Sequence, residues 1–301
     1  MPDVKGRIDH FAFDPEHNRL FVSALGSNTE EVIGLGTQTV THIITGIPVP
    51  QGVAYVPESN KIVVGSDEGK LYIYDGGSFN LITTVDFGDD VDNLRYDAAT
   101  NRVYVGYGDE KTGAIGIVDA ATNKRLEEEY KLGAHPESFQ LETSGSRIFV
   151  NVPDLNQIAV IDRKTREITR WHLKLGGNFP MALDEERHRL FVATRNPAEM
   201  SVFDIDSGRL IVSLPCVQDS DDLYYDAARK RIYVSGGEGY ISVFQQNDPD
   251  HYELLAKIPT SVGARTAGYV GKGRKGFDRF YVAAPARAER AAEVLIYTVQ
   301  D

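Results

Sequence analysis

A pattern of about 13 residues recurs seven times along the 301-residue chain. Each copy has an apolar run, a turn with an acidic residue, a basic residue and a second run rich in β-branched and aromatic residues. Examples are HFAFDPEHNRLFV from His10, NLRYDAATNRVYV from Asn93 and DLYYDAARKRIYV from Asp222. The copies begin at residues 10, 52, 93, 138, 180, 222 and 266, so successive copies lie 41 to 45 residues apart. A repeat of this period predicts units that stack on one another, because one unit cannot bury its apolar face alone.

Each unit continues in the same way after this first hairpin. A turn rich in Gly, Asn and Asp leads to a third apolar run, such as KLYIYD or QIAVID, and a more polar fourth run such as RLIVSL follows. Short β-branched and aromatic runs with regular turns predict strands, and no segment shows a sustained helical period. Four strands per unit of roughly 40 residues predict an all-β fold. We therefore expect a seven-bladed β-propeller with four-stranded antiparallel blades, formed by residues 1–301 as a single domain.

The seventh unit differs from the others. Its first hairpin has about four extra residues, and it supplies three strands before the chain ends at Asp301. Only Met1–Gly6 is left to add a fourth strand, and Pro2 cannot donate a hydrogen bond to a sheet. Blade seven is therefore expected to be incomplete as given: either this segment pairs poorly, or the natural chain begins earlier, which is the alternative we favour.

An acid and an arginine five residues apart recur in five of the first hairpins, as in Asp14/Arg19, Glu142/Arg147 and Asp226/Arg231. A feature that repeats from blade to blade serves the blade and not a ligand. We expect these residues to pair across the turn or to fix its conformation.

Composition excludes several classes of function. The chain has 32 Lys and Arg against 44 Asp and Glu, a net charge of −12, which disfavours binding to nucleic acid or an anionic membrane surface. No apolar run approaches the roughly 20 residues of a membrane span, and no signal peptide is present as written. Cys216 is the sole cysteine, so an intrachain disulfide is impossible. The G-x-G-x-x-G match at 271–276 lies between two predicted strands with no helix after it, and is interpreted as a hairpin tip.

Positions that vary between the copies point to a site. A position that the blade itself requires should carry similar residues in every copy. The polar residues just before each innermost strand instead differ from copy to copy. In a propeller these positions lie at one mouth of the central channel, so a small polar molecule or an ion is expected there. The candidate ligand-binding residues are Arg7, Asp9, His10, Gln51, Asp92, Asn93, His135, Glu137, Asn178, Asp221, Asp222 and Arg265.

The chemistry of this set leaves several alternatives open. A divalent cation such as Ca²⁺ is one, because carboxylates and imidazoles are metal ligands. Its candidate ligands are Asp9, His10, Asp92, Glu137, Asp221 and Asp222, with His135 beside them. A metal-free pocket and a water-filled channel are the others.

Acid–base catalysis is a further hypothesis, with His10, His135, Glu137 and Asp221 as candidate catalytic residues. A lactonase-type hydrolase would use such a pair, with Arg7 or Arg265 holding the substrate anion. The leading expectation is a binding or scaffold protein, the first alternative is this hydrolase, and the second is a protein–protein interaction module.

Three segments carry a family resemblance: NRLFVSALGSNTEEVIGL, NRVYVGYGDEKTGAIGIVDAATNKR and RIFVNVPDLNQIAVIDRKTREI. They resemble the YVTN β-propeller repeat of the YncE-like family, and the resemblance extends over essentially the whole chain. It implies a β-propeller with a binding or scaffold function in the periplasm or outside the cell. No motif here transfers a catalytic residue from related propeller enzymes, and the fold by itself implies no activity.

Overall fold

A computed structural model of the protein describes residues 1–271, 278–288 and 290–300. These residues form 27 strands and three single turns of 3₁₀ helix, at Leu25–Ser27, Pro57–Ser59 and Pro153–Leu155. Each 3₁₀ turn ends at an asparagine in the left-handed conformation, a residue type that tolerates positive φ. None of the helical segments in the described ranges has the length and apolarity needed to cross a membrane. The chain packs into two compact units, residues 1–136 with 285–293, and residues 137–284 with 294–301.

The first unit contains three sheets, each of four antiparallel strands in sequence order. The first sheet consists of β1 (Phe11–Asp14), β2 (Arg19–Ala24), β3 (Thr29–Gly34) and β4 (Thr39–Thr45). The second consists of β5 (Pro50–Val56), β6 (Lys61–Ser66), β7 (Lys70–Asp75) and β8 (Leu81–Asp86). The third consists of β9 (Val91–Asp97), β10 (Arg102–Tyr107), β11 (Ala114–Asp119) and β12 (Lys124–Lys131).

The second unit contains three more four-stranded sheets and one of three strands. The fourth sheet is β13 (Phe139–Leu141), β14 (Arg147–Val152), β15 (Gln157–Asp162) and β16 (Ile168–His172). The fifth is β17 (Gly176–Asp184), β18 (Arg189–Asn196), β19 (Ala198–Asp204) and β20 (Leu210–Pro215). The sixth is β21 (Ser220–Asp226), β22 (Arg231–Gly236), β23 (Tyr240–Asp248) and β24 (His251–Pro259). The last is β25 (Ala267–Val270), β26 (Arg279–Ala284) and β27 (Glu293–Thr298).

The predicted fold class is confirmed: the seven sheets are the blades of a seven-bladed β-propeller. Blade seven has three strands within the described residues, which agrees with the expectation that it is incomplete. The segment Met1–Gly6 forms no strand; Val4 is buried and the amide of Lys5 donates to Ser27 Oγ at 2.9 Å. The extra residues in the turn between β25 and β26, and most of the G-x-G-x-x-G match, lie outside the described residues.

The core lies between neighbouring sheets of each unit. The second and third strands of most blades are largely buried, and neighbouring sheets within each unit share apolar clusters. In the first unit, Phe21 of blade one packs on Tyr55 of blade two with ring centroids 5.8 Å apart. In the second unit, Phe191 of blade five and Tyr225 of blade six are 5.0 Å apart. β27 is the exception, since its residues are only partly buried.

The repeated acid fixes the turn of the first hairpin. Asp14 Oδ1 accepts the backbone N–H groups of Glu16 and His17 at 3.1 and 3.0 Å, and Arg19 Nε donates to Asp14 Oδ2 at 2.8 Å. In blade six, Asp226 caps its turn in the same way but pairs with Arg229, three residues on, at 2.9 Å. In blades one and six the acid therefore caps the turn with a different arginine as partner, whereas Glu142 of blade four accepts the backbone amide and the guanidinium of Arg147 at 2.9 and 2.6 Å.

Candidate metal centre

The innermost strand of blade three begins with a β-bulge that contains two candidate residues. Leu94 pairs with Val105, but the next pair is Val91 with Tyr107, so Asp92 and Asn93 together face one residue of β10. A bulge of this kind re-aims side chains out of the regular alternation of a strand. Asp92 is buried at this bulge. The alternating side-chain directions of a regular strand would not predict the direction of its carboxylate.

The same irregularity occurs where the innermost strands of blades two, five and six begin. In β5 it lies between Pro50 and Val53, in β17 between Asn178 and Met181, and in β21 between Ser220 and Asp222. Three of the candidates named from the sequence fall inside these bulges, Gln51, Asp92 and Asp221, and Phe179 occupies the corresponding bulge of blade five. The variable position is therefore also the position at which four blades depart from regular strand geometry.

In the first unit, Asp92 lies between two histidines. His10 Nε2 is 3.2 Å from Asp92 Oδ1, and His135 Nε2 is 3.6 Å from Asp92 Oδ2. Both imidazoles are about one-sixth to one-fifth exposed, at 19% and 16%, so the cluster is shielded but reachable from solvent. One buried carboxylate is thus approached by a ring nitrogen on each oxygen.

The hydrogen bonding of His135 assigns its tautomer. Nδ1 lies 2.6 Å from the carbonyl oxygen of Gly108, which can only accept, so Nδ1 carries the proton. Nε2, the other ring nitrogen, lies 3.6 Å from Asp92 Oδ2. The backbone bond to Nδ1 is also the outer contact that metal-ligating histidines usually make.

Asp9 adds a second carboxylate to the cluster. Asp9 Oδ1 is 3.6 Å from His10 Nε2, while Asp9 Oδ2 accepts a 2.6 Å hydrogen bond from Arg7. The backbone of this segment is fixed by β2, because the Asp9 amide donates to the carbonyl of Ser23 at 2.7 Å and the Ser23 amide donates to that of His10 at 3.1 Å. Asp9, His10 and Asp92 each direct one ligand-type atom into a space less than 4.8 Å across.

Burial and neighbouring charges shift the pKa values of Asp90 and Asp92 in opposite directions. Asp92 belongs to β9, and Asp90 lies in the turn before it. Burial, with Asp92 adding to it and His135 opposing it, raises the pKa of Asp90 to about 7. Burial also disfavours charge on Asp92, but the two histidines outweigh it and hold the pKa of Asp92 well below its usual range. Near neutral pH Asp92 is therefore the ionised group at the centre of the cluster.

Several acceptor oxygens around Asp92 lack a donor. Within the described residues, no hydrogen bond reaches Asp92 Oδ1, Asp90 Oδ1, Asn93 Oδ1 or Gln51 Oε1, and all four atoms are buried. The approach of His10 Nε2 to Asp92 Oδ1 has the distance of an ion pair without the alignment of a hydrogen bond. Buried polar atoms are nearly always satisfied by protein, water or a ligand, so this concentration of acceptors favours a bound donor or cation.

Two glycines position this cluster. A Cβ at Gly52 would lie 1.6 Å from the carbonyl oxygen of Asp92, so only glycine lets β5 pass so close to β9. Gly108 has φ of +91°, where other residues are strained, and a Cβ there would lie 2.8 Å from the carbonyl carbon of Thr112. Gly108 donates to the carbonyl of Asp90 at 2.7 Å and accepts from His135, which ties both residues to one turn.

The candidates in the second unit have different partners. Asp221 accepts from Arg195 Nη2 at 2.6 Å and lies 3.2 Å from Arg265 Nε, so its charge is matched within the unit. Asp222 Oδ2 accepts the backbone amide of Ala267 at 2.7 Å, which joins blade six to blade seven. Asn178 is fully buried and donates to Asn151 Oδ1 and to the carbonyl of Gln157.

The structure thus brings part of the predicted set together. Arg7, Asp9, His10, Gln51, Asp92, Asn93 and His135 belong to the first unit, while Glu137, Asn178, Asp221, Asp222 and Arg265 belong to the second. Two residues with roles at these positions were absent from the predicted set, Gly108 and Arg195. Arg195 lies near the end of β18, the second strand of its blade, and stacks its guanidinium 3.7 Å from the ring centroid of Phe179. Comparing the sequence repeats does not identify either residue. Gly108 acts through its backbone conformation, and Arg195 acts through its contacts with Asp221 and Phe179.

Comparisons with known proteins support the fold. No protein-family profile and no curated protein matches the chain. A structure of Kuenenia stuttgartiensis hydrazine synthase is similar with a TM-score of 0.82 at 15% identity, covering 99% of this chain and 98% of that one. A chain in the mitotic checkpoint complex is similar with a TM-score of 0.80 at 12% identity, covering 100% and 94%. The structure of U3-55K gives 0.82 at 12% identity, covering 98% and 97%. At these identities the likeness shows the fold alone.

Proposed function

We propose that this β-propeller is a binding protein whose first unit holds a divalent transition-metal ion between Asp9, His10 and Asp92, with His135 beside the carboxylate of Asp92. The observation that carries the proposal is that Asp9, His10 and Asp92 each place one ligand-type atom within 4.8 Å of the others, around a buried Asp92 oxygen that accepts no hydrogen bond within the described residues. A cation between these atoms would satisfy that oxygen.

The distances within the cluster suit a small coordination sphere. Two ligands held about 2.1 Å from a zinc ion at a tetrahedral angle lie roughly 3.4 Å apart. The separations are 3.2 Å from His10 Nε2 to Asp92 Oδ1 and 3.6 Å from His10 Nε2 to Asp9 Oδ1, which are close to this value.

The donor set indicates the class of metal. Ca²⁺ and Mg²⁺ take oxygen ligands, whereas imidazole nitrogen suits Zn²⁺ and the neighbouring transition ions. The imidazole of His10 beside the carboxylates of Asp9 and Asp92 therefore favours zinc-like ions over the Ca²⁺ named from the sequence. Arg7 neutralises one oxygen of Asp9, which limits the excess negative charge that the ion must balance.

The proposed family, domain organisation, location and protein partner rest on the resemblance to the YVTN repeat and on the fold. The three YVTN-like segments support a place among YncE-like binding or scaffold propellers, with residues 1–301 as one domain located in the periplasm or outside the cell. One similar fold comes from a protein assembly, the mitotic checkpoint complex, which supports a protein partner as a further role.

Isothermal titration of the metal-stripped protein with ZnCl₂ and, separately, CaCl₂ tests the metal site. We expect one zinc per chain, at least tenfold weaker binding in Asp92→Asn and in His10→Gln, and much weaker binding of calcium. His188→Gln is the matched control, because His188 Nδ1 lies 2.7 Å from Asp206 in an exposed pair remote in sequence from the cluster. Zinc binding that is absent, or that is unchanged in both cluster variants, would contradict the proposal.

A further inference from the structure

The second strand of every blade begins with a basic residue. In five blades its side chain reaches beyond its own hairpin to the next blade of the same unit, where it donates a hydrogen bond to a backbone carbonyl just after the third strand. We call these five residues the junction bases: Arg19, Lys61, Arg147, Arg189 and Arg231. They cover both junctions between the three blades of the first unit and all three junctions in the second.

The bond is nearly the same at each junction. In the first unit, Arg19 donates to the carbonyl of Gly76 at 2.5 Å, and Lys61 donates to that of Ala120 at 2.7 Å. The acceptors in the second unit are the carbonyls of Ile205, Pro249 and Gln300, at 2.6, 2.8 and 2.5 Å. Four of the five bonds join residues 57 to 60 positions apart, so one repeated contact fastens each blade to the next.

The acid of the same hairpin does not account for the junction base. In blade two Val56 occupies the position of the acid, five residues before Lys61, yet Lys61 still bonds to blade three. In blade six Asp226 pairs with Arg229, whereas Arg231 bonds to blade seven. The contact that recurs at all five junctions is therefore the one between blades, and not the one across the turn.

In the first unit these bonds form a continuous path through three blades. Gly76 accepts from the junction base of blade one, and its own amide donates to the carbonyl of Asn60 in blade two at 2.7 Å. Asn60 is followed by Lys61, which donates to Ala120 in blade three. The Ala120 amide in turn donates to the carbonyl of Asn101 at 3.1 Å. Movement of one blade away from its neighbour must therefore break this path.

We propose that the junction bases couple neighbouring blades, so that local opening of one blade also removes protection from the next. The side chains of Arg19 and Arg189 are only 13% and 10% exposed, so water competes weakly for their bonds. A charged donor also makes a stronger hydrogen bond than a neutral one. This role is independent of the proposed metal centre, because the junction bases follow the turn of the first hairpin, whereas Asp9 and Asp92 lie at its other end.

Amide hydrogen exchange of the full chain in Lys61→Met tests the coupling. Lys61 is the most informative junction base, because Val56 replaces the acid of its hairpin. We expect residues 114–119, which form β11 of blade three, to exchange about tenfold faster than in the wild type, although the substitution lies in blade two. Lys61→Arg should stay within about twofold of the wild type, because arginine makes this bond at the other four junctions.

Lys70→Met is the matched control, because Lys70 is an exposed lysine of the same blade and makes no hydrogen bond or ion pair within the described residues. It should leave the exchange of residues 114–119 unchanged. If Lys61→Met fails to fold, Asn123→Gly removes the second acceptor of Lys61, 2.8 Å away, at a φ of 58° that glycine tolerates.

We expect Asn123→Gly to speed the exchange of the same strand about threefold. Faster exchange confined to residues 53–64, the hairpin of Lys61 itself, would overturn the proposal, because the base would then serve its own blade. An equal acceleration of residues 157–162 in the second unit would also overturn it, since the loss of stability would then be general.

Discussion

A Cβ atom added to Gly52 would lie 1.6 Å from the carbonyl oxygen of Asp92. The two residues belong to the innermost strands of neighbouring blades, β5 and β9. This approach fixes the backbone of the bulge that directs Asp92 between His10 and His135. A residue with no side chain therefore determines where the central carboxylate of the candidate metal centre lies.

Replacement of Gly52 by alanine tests this relationship. The added methyl group would contact backbone, which cannot rotate away, so β9 must shift. We expect the free energy of unfolding to fall by about 2 kcal/mol or more, as in overpacked cores, and zinc affinity to fall with it. Urea denaturation and calorimetric titration measure the two effects. Gly36→Ala is the control, since a Cβ there has no neighbour within 4 Å, and equal behaviour of the two variants would refute the claim.

Glu30 in β3 provides a prediction about pH. It is fully buried opposite Ser23, whose hydroxyl donates to Glu30 Oε2 at 2.8 Å, and burial raises the pKa of Glu30 well above its ordinary value of 4.5. The native carboxyl keeps its proton when the unfolded chain has lost it, so the free energy of unfolding declines as pH rises above about 4.5. Glu30→Gln should reduce this decline and stabilise the protein at pH 8 by about 1–2 kcal/mol.

Urea unfolding of wild type and Glu30→Gln at pH 5 and pH 8 measures this difference. Glu16→Gln, at an exposed position, controls for the change in net charge. A Glu30→Gln protein less stable than wild type at pH 8 would show that the buried group is held as a carboxylate.

Glu185 gives the opposite pH dependence. Its carboxylate accepts from the backbone amides of Thr143 and Ser144 at 2.7 and 2.9 Å and from both hydroxyls at 2.8 and 2.5 Å. Burial opposes the charge, but these four bonds outweigh it and lower the pKa of Glu185 to about 2. The stabilisation is therefore present above pH 4.5 and is lost as pH falls towards 2.

We expect Glu185→Gln to cost about 1 kcal/mol at pH 7, with the difference from wild type shrinking below pH 4. Thermal or urea unfolding across this range is the measurement. Glu186→Gln should lie within about 0.5 kcal/mol of wild type, because such exposed pairs contribute little. Its side chain is 76% exposed and contacts Arg187 at 3.3 Å. If Glu185→Gln lowered the free energy of unfolding by the same amount at all pH values, the predicted dependence of stability on the ionisation of Glu185 would be contradicted.

Replacing Asp221 and Asp222 of β21 should change the stability of the protein and leave its metal binding unchanged. Asp221 is paired with Arg195 and Arg265, and Asp222 accepts the amide of Ala267. Converting both to asparagine should lower the free energy of unfolding by about 2 kcal/mol, since buried charge-assisted bonds are lost. Zinc titration of the folded double variant should match wild type. A loss of zinc affinity without a loss of stability would place these residues in the metal site.

The sequence predicted the fold well because the same strand pattern occurs in seven copies. A strand assignment that is ambiguous in one copy is supported by the other copies. The run KLYIYD at 70–75 has the bounds of β7, and EEVIGL at 30–35 differs from β3 by one residue. Seven copies of one pattern also supported the number of blades and the three-stranded last blade. Local errors at single turns do not alter such a result.

The site was less accessible to sequence analysis. The repeat located the variable positions of Asp9 and Asp92, but side-chain direction there depends on a bulge. That bulge is set by contacts of Gly52 and by the register between Leu94 and Tyr107, which no pattern of alternating residues reveals. The tautomer of His135 depends on a carbonyl of Gly108, 27 residues away along the chain. Such backbone contacts become visible only in three dimensions.

Anomalous diffraction at the zinc absorption edge, from crystals grown with ZnCl₂, tests the metal centre most directly. The account predicts one strong peak about 2.0–2.2 Å from His10 Nε2, an oxygen of Asp9 and an oxygen of Asp92. The absence of a peak beside Asp92, or peaks only at surface pairs such as His188 with Asp206, would contradict it.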